Sequence, residues 1–205
     1  MKKVFSFLAN EVFLGTMIAL LSVFTAVASY QGAMADSEQN KYEILGMQAL
    51  NDGNAEYLSA NQTWIQDDGN YDNWYINRDT NPEIAAYYES NFTEELDTAI
   101  ARNGADEYPM DEEYATAIYA DANASWEDSD TNFELGSQYD EKGDQLQLIM
   151  LIMALGLALA AWGSLLGAES NLRAMFSLFG LIAFITGIGF YVFYMFISPA
   201  VVAAV

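Results

Sequence analysis

Three apolar runs frame what this chain can become: Val12 to about Ala35, Leu146 to Leu166, and Ala174 to Ile197. Apolar runs of 18 or more residues, wound as helix, reach across a hydrocarbon core roughly 30 Å thick. No Asp, Glu, Lys or Arg interrupts any of them; Glu11 and Glu169 stand at the edges, where a long side chain reaches the interface at little cost. Between the first and second runs lies the opposite material. Asp36 to Asp144 holds 27 of the 29 acidic residues, and only Lys41, Arg78, Arg102 and Lys142 as basic partners. A block with a net charge near −23 stays out of lipid, and the runs beside it stay out of water. The expected fold is an all-α membrane protein with three transmembrane helices and a helical-bundle extracytoplasmic domain between the first and second. Its parts are 1–35 (a cytoplasmic stub and anchor helix), 36–145 (the acidic domain), and 146–205 (a helical hairpin with a short tail).

Orientation follows from three cations. Lys2 and Lys3 precede the first run and Arg173 lies between the second and third, so the positive-inside rule puts all three in the cytoplasm. The acidic block and the C-terminal Pro199 to Val205 then lie outside a multi-pass cell membrane, the inner or plasma membrane. The first run can serve as a signal peptide or a signal anchor. Ala33-Met34-Ala35 fits a cleavage site, but the run exceeds the 7–15 residues of a signal core, so an uncleaved anchor is expected. Tyr191, Tyr194 and Phe196 at one end of the third run, and Trp162 in the second, suit an interfacial aromatic belt.

Inside the acidic block the apolar periodicity is helical. Ser37 to Gln66 is expected to be a helix, open to continuity with the first run, with Ile44, Met47, Leu58 and Ile65 near one face and Asn51, Asn54 and Asn61 interposed. Asp67 to Trp74 is rich in turn formers and is expected to be irregular as far as Pro82. Pro82 to Asn103 carries the stripe Ile84, Tyr88, Phe92, Leu96, Ile100, with Asn103-Gly104 as its stop and a break at Ser90–Thr93 left open. Pro109 opens another turn. Asp111, Glu112 and Glu113 suit the positive end of a helix running to Trp126, striped by Tyr114, Ile118, Ala122 and Trp126. A polar turn from Glu127 to Asn132 is expected before a last helix, Phe133 to Asp144.

The residue inventory excludes much chemistry. With no Cys and no His, disulfides, thiolate nucleophiles, iron–sulfur clusters and the usual neutral-pH base are gone. A strongly acidic surface repels phosphate, which argues against nucleic acid. Adjacent carboxylates such as Glu94/Glu95 and Glu112/Glu113 do not face each other on a helix, so paired-carboxylate hydrolysis is not expected. Uncharged spans argue against a transporter, because substrate and proton paths use intramembrane ionisable groups.

Four patterns remain. Gly163-x-x-x-Gly167, Ala183 with Gly187, and Gly15 with Ala19 are small-residue steps that let membrane helices approach closely. Asp128, Asp130, Asn132 and Glu134 alternate like the start of a calcium loop. Phe133 and Tyr139 stand where an EF-hand needs Gly and Glu, so the choice is between an irregular Ca2+ site and a solvated acidic surface. Asp67, Asp68, Asn70 and Asp72 form a second acidic cluster with the same two readings. Asn61, Asn91 and Asn123 begin glycosylation sequons, usable where a host supplies the machinery. No other cofactor is expected.

The layout, with Lys142-Gly143-Asp144-Gln145-Leu146 leading into the second run, resembles a group of uncharacterised prokaryotic membrane proteins. They pair an N-terminal span and a helical outer domain with a two-span hairpin after a Gly-Asp pair. The resemblance implies that layout and carries no activity or binding residue. The expected function is a non-enzymatic structural or accessory subunit, a scaffold, of a prokaryotic cell-envelope assembly. Its partners would be the lipid bilayer and copies of itself or other membrane-protein subunits, met through aromatic residues around Trp64, Trp74 and Tyr75. The alternatives are an extracytoplasmic sensor or cation-binding module signalling through a membrane partner, and a small oligomeric channel.

Overall fold

A computed structural model describes residues 7–197; Lys2, Lys3 and Pro199 to Val205 lie outside the described residues. The described chain is helical, with no strand. The elements are α1 (Glu11–Asn77), α2 (Pro82–Glu89), α3 (Glu94–Asn103), α4 (Glu112–Ile118), α5 (Ala120–Ser164) and α6 (Asn171–Val192), with a π-helical turn at Phe193–Ile197. Three helices are long and apolar enough to cross a membrane: α1, α5, and α6 with its π turn. The contacts group the chain into two units. One takes residues up to Glu43 and from Phe133 onward, the other Ile44–Asn132, and α1 and α5 contribute to both.

In the first unit, Asn10 caps α1 by accepting from the Val12 and Phe13 amides at 2.8 and 3.2 Å. The core is Leu14, Met17, Leu21 and Ala28 of α1 against Leu146, Ile149, Met153 and Ala160 of α5. Helix α6 is admitted by missing side chains. A Cβ on Gly156 would stand 2.7 Å from the Ala183 Cβ, and one on Gly187 would stand 2.7 Å from the Met153 Cε. Gly163 faces the Phe176 Cβ in the same way at 3.3 Å. Gly167 corrects the expected two-point motif: it lies in the turn after α5 with nothing within 4 Å of its Cβ position. Gly15 is also open, while Gly156 and Gly180 are close contacts that the spacing did not single out. The Tyr191 hydroxyl donates to Gln31 Oε1 at 2.9 Å, so this ring is tied to α1 and is not a free belt residue.

The second unit departs from the sequence reading in three places and decides a fourth that was left open. First, α1 does not stop at Gln66; it runs through Asp67 to Trp74 and on to Asn77. Asn73 and Asn77 donate back to the carbonyls of Gly69 and Asn73 at 2.6 and 2.7 Å, and the buried Asp67 and Tyr71 tie this turn-prone stretch to the core. Tertiary packing overrides weak helix propensity here. Second, the open break at Ser90–Thr93 is real, with Asn81 capping α2 and Thr93 capping α3. Ile84 is left exposed, while Leu96 is buried and Phe92 and Ile100 pack against it. Third, the helix expected to reach Trp126 breaks at Tyr119. Fourth, the polar turn expected at Glu127–Asn132 is helix, because α5 runs unbroken from Ala120 to Ser164. Gly104, at φ +91°, ends α3 as a glycine can.

The expected stripe on α1 faces the wrong way. Ile44, Met47, Leu58 and Ile65 are 57%, 59%, 61% and 71% exposed. The inward line is instead Gly46, Gly53, Ala60, Asp67 and Tyr71, in steps of seven, seven, seven and four. Small residues on this line let α5 approach. The Trp126 indole lies over Gly53, 2.6 Å from where a Cβ would be, and Ser129 donates to the Gly46 carbonyl at 2.9 Å.

Candidate functional site

The most constructed place in the second unit is a buried carboxylate. Asp67 is 1% exposed and lies on the same face of α1 as Tyr71. The Tyr114 hydroxyl of α4 donates to its Oδ2 at 2.7 Å, and the Thr93 hydroxyl donates to the same oxygen. The Thr93 amide donates to Oδ1 at 3.3 Å, and Thr93 Oγ1 in turn accepts from the Leu96 amide at 3.2 Å, capping α3. One carboxylate thus ties α1, the start of α3, and α4 together. Burial, reinforced by the Asp67 carboxylate, pushes the Tyr114 hydroxyl above the ordinary tyrosine pKa, so it stays a donor. Around this node pack Tyr71, Leu96, Ala99 and Met110, flanked by Trp64, Trp74 and Ile118.

Two clips hold the connecting segments. Arg78 donates to the Ala105 carbonyl at 2.8 Å, pairs with Asp106, and stacks on Tyr75 with its guanidinium carbon 4.3 Å from the ring centroid. Asp111 caps α4 through the Tyr114 amide at 2.9 Å, and accepts from Asn103 at 2.8 Å and from Arg102 at 2.5 and 2.6 Å. The Asn103 amide, the Tyr114 N–H and Arg102, in that order, hold its carboxyl well below the usual range. Tyr108, donating to Asp68 at 2.7 Å, is pushed up to about 12, by burial first and Asp68 second.

Beside a cleft of about 510 Å³ among Gln66, Asn70, Asn73 and Asn91, two more open clefts have polar linings. One, of about 350 Å³ in the second unit, is edged by Glu56, Thr63, Thr93, Glu95 and Asp121, with Ser125 donating to Glu56 at 2.7 Å. The other, of about 580 Å³ in the first unit, lies among Asn10, Glu11, Glu169, Ser170 and Asn171. Arg173 sits in the first turn of α6 of that unit, its side chain only 4% exposed. It donates to the Leu166 carbonyl at 3.0 Å and stands 3.8 Å from Glu11, while its Nε and the Ser177 hydroxyl have no partner among the described residues.

Asp128, Asp130, Asn132 and Glu134 are not gathered into a loop. They are successive alternate positions of helix α5, and residues two apart on a helix point about 200° apart. Asn132 donates back to the Asp128 carbonyl at 2.7 Å. Among the described residues no three His, Cys, Asp or Glu are placed to hold a metal ion. Asp67, Asp68, Asn70 and Asp72 are likewise helical, with Asp67 turned into the core. Of the sequons, Asn91 and Asn123 are exposed, whereas Asn61 is half-buried, its Oδ1 accepting from Tyr119 at 2.8 Å and its amide donating to the Tyr57 carbonyl at 2.9 Å. Trp64 and Trp74, expected at a contact surface, pack on the core; Tyr75 is the exposed member of the three.

Sequence reasoning missed the Asp67 node and the Arg78 clip. Their signal was present as the spacing Trp64, Asp67, Tyr71, Trp74, Arg78, which alternates threes and fours and places two charges on an aromatic face. No family model matches the chain, and no curated protein or solved structure matches it.

Proposed function

We propose that this chain is a non-enzymatic structural subunit, a scaffold, of a prokaryotic cell-envelope membrane assembly. Helices α1, α5 and α6 insert as three spans, 36–145 lies outside the inner or plasma membrane as a helical domain, and Arg173 marks the cytoplasmic turn. The observation that carries this reading is how the second unit uses its polar groups. Its one buried carboxylate accepts from three donors of two other segments, and Asp111 and Arg78 are spent on closing loops. Groups engaged in this way hold a shape, whereas a base or nucleophile needs a lone pair or proton aimed at open space. Meanwhile Ile44, Met47, Leu58 and Ile65 of α1 are turned outward, as suits a domain that works by contact. The acidity of 36–145 suits screening by salt, divalent cations or a basic partner when such domains gather.

The native mass of the full chain in nanodiscs, with and without calcium and at low and high salt, tests this. A defined multiple of 22.7 kDa, or a complex with other chains, is expected. A monomer without partners under every condition sinks the reading. The sensor alternative draws on the cleft edged by Glu56, Glu95 and Asp121, which suits a cationic ligand. Calorimetric titration of the full chain with calcium and with polyamines decides it, and no heat from either removes it.

A further inference from the structure

From Ile44 to Ile65 the outward face of α1 is free of charge, in a block where more than a quarter of residues are charged; Asp68 and Asp72 end the neutral stretch. The line Ile44, Met47, Asn51, Asn54, Leu58, Asn61, Ile65 advances in alternating threes and fours, the repeat of a coiled-coil seam about 30 Å long at 1.5 Å per residue. On one flank stand Gln48, Ala55 and Gln62, also neutral, and on the other Leu50, Tyr57 and Trp64, with Glu43 at its start; Asp52 and Glu56 fall on other faces. The four apolar members are all more than half exposed, while Asn61, half-buried and held by Tyr119, sits at the edge of the line.

The asparagines supply a separate observation. Helix α1 carries seven. Asn40, Asn61, Asn73 and Asn77 donate to the carbonyl four residues back, and Asn70 donates to the Asn91 carbonyl. Asn51 and Asn54, at the middle of the neutral face, donate to nothing among the described residues. Their amides carry both a donor and an acceptor, so each can pair with an identical copy of itself.

We propose that this face is a parallel, in-register docking seam for a second copy of the same chain. The proposal rests on the membrane-scaffold reading above, since two copies inserted the same way into one membrane present α1 in the same direction. In a two-fold parallel seam each residue meets its own copy. That arrangement accepts Ile on Ile, Leu on Leu and Asn on Asn, and rejects any charge. A basic partner would be met by an acidic face; this one is empty of acid within an acidic domain. Asn51, in the same heptad position as Ile44, Leu58 and Ile65, fixes register and two-strandedness at some cost in affinity. Tethering in one membrane offsets that cost by raising the local concentration.

The chain has no cysteine, so single substitutions report cleanly. Full-length Asn51→Cys, Asn54→Cys and Leu58→Cys in liposomes are oxidised beside the off-face controls Asp52→Cys and Ser59→Cys. At least about fivefold more disulfide dimer is expected on the seam than off it. Adding Leu58→Glu, which sets like charges against each other at an exposed site, is expected to cut the Asn51→Cys yield about tenfold. Equal yields on and off the seam, or no yield on it while the native mass still shows a complex, overturn the seam and leave the scaffold reading standing. A complex with a different chain and no self-cross-linking does the same. A partnerless monomer in every condition ends both.

Discussion

The same two helices, α1 and α5, build two cores by different rules. In the first unit the partners are Leu14, Met17, Leu21, Ile149 and Met153, and glycine notches at Gly156, Gly163 and Gly187 decide where α6 fits. In the second unit the helices meet through Gly53 under Trp126 and through the Ser129 bond to Gly46, and the adjoining cluster is pinned by Asp67. Where nearly every packed side chain is apolar, as along the first unit's core, hydrophobicity cannot tell one helix face from another and shape must choose. Where the surroundings are polar and acidic, a buried carboxylate has a unique set of donors and chooses the arrangement itself. Fit of small residues against large ones dominates one unit, and polar pairing with fit the other.

That contrast can be broken at its strongest point. Asp67→Ala leaves the Tyr114 hydroxyl and the Thr93 donors without an acceptor and opens a void, for a loss of about 3 kcal/mol or more. Three of the four tryptophans, Trp64, Trp74 and Trp126, lie in the second unit. Urea unfolding followed by fluorescence in a Trp162→Phe background therefore reads this unit, and an unchanged midpoint would remove the carboxylate from its central place. Next in size, Gly156→Leu drives a side chain at the Ala183 Cβ and costs about 1–3 kcal/mol in the first unit. Circular dichroism during SDS titration measures it, and the urea midpoint of the second unit is expected to stay put.

Tyr114→Phe is a smaller step, about 1.5–3 kcal/mol for one bond to a charged acceptor, and it sharpens the comparison through pH. The hydroxyl's folded pKa is raised, so its contribution is full below the ordinary tyrosine value near 10 and fades as pH rises beyond it. Wild type is expected to lose stability on the alkaline side, and the variant to lose less there. The mildest expected effect is at Asp111. Its folded pKa is depressed, so its contribution is present above the ordinary carboxylate pKa near 4 and disappears as pH falls below it. Asp111→Asn is expected to lower the neutral plateau of the melting profile of the second unit and to flatten its acid limb, so that variant and wild type converge at low pH.

Much of the architecture was legible because membrane-length apolar runs and helical spacing are strong signals. The three long helices fall on the three runs, and Tyr114, Ala122, Leu96 and Gly104 sit close to where the spacing puts them. Asp67 to Trp74 misled because Asp, Asn and Gly favour turns locally, while the tertiary bonds that keep it helical join residues more than twenty positions apart. The face of α1 was misread for a different reason. From Gly46 to Ala60 its inward line is glycine and alanine, whose burial gains little free energy, so the larger outward residues dominate any hydrophobic count. At Asp128 to Glu134, alternation that would make a ligand loop in extended chain makes opposite faces once the backbone is helical.

The unbroken reach of α1 also sets a timetable for synthesis. Its bonds join residues far apart along the chain: Gly46 with Ser129, Asp67 with Tyr114, Gln31 with Tyr191. None can form until the later segment has left the ribosome, so 67 residues of helix must wait with glycines and a carboxylate unmatched. Such high-separation contacts slow the final step of folding. Nascent chains stalled before Ala120 are therefore expected to be protease-sensitive between Ile44 and Asn77, and chains released after Tyr191 to be protected.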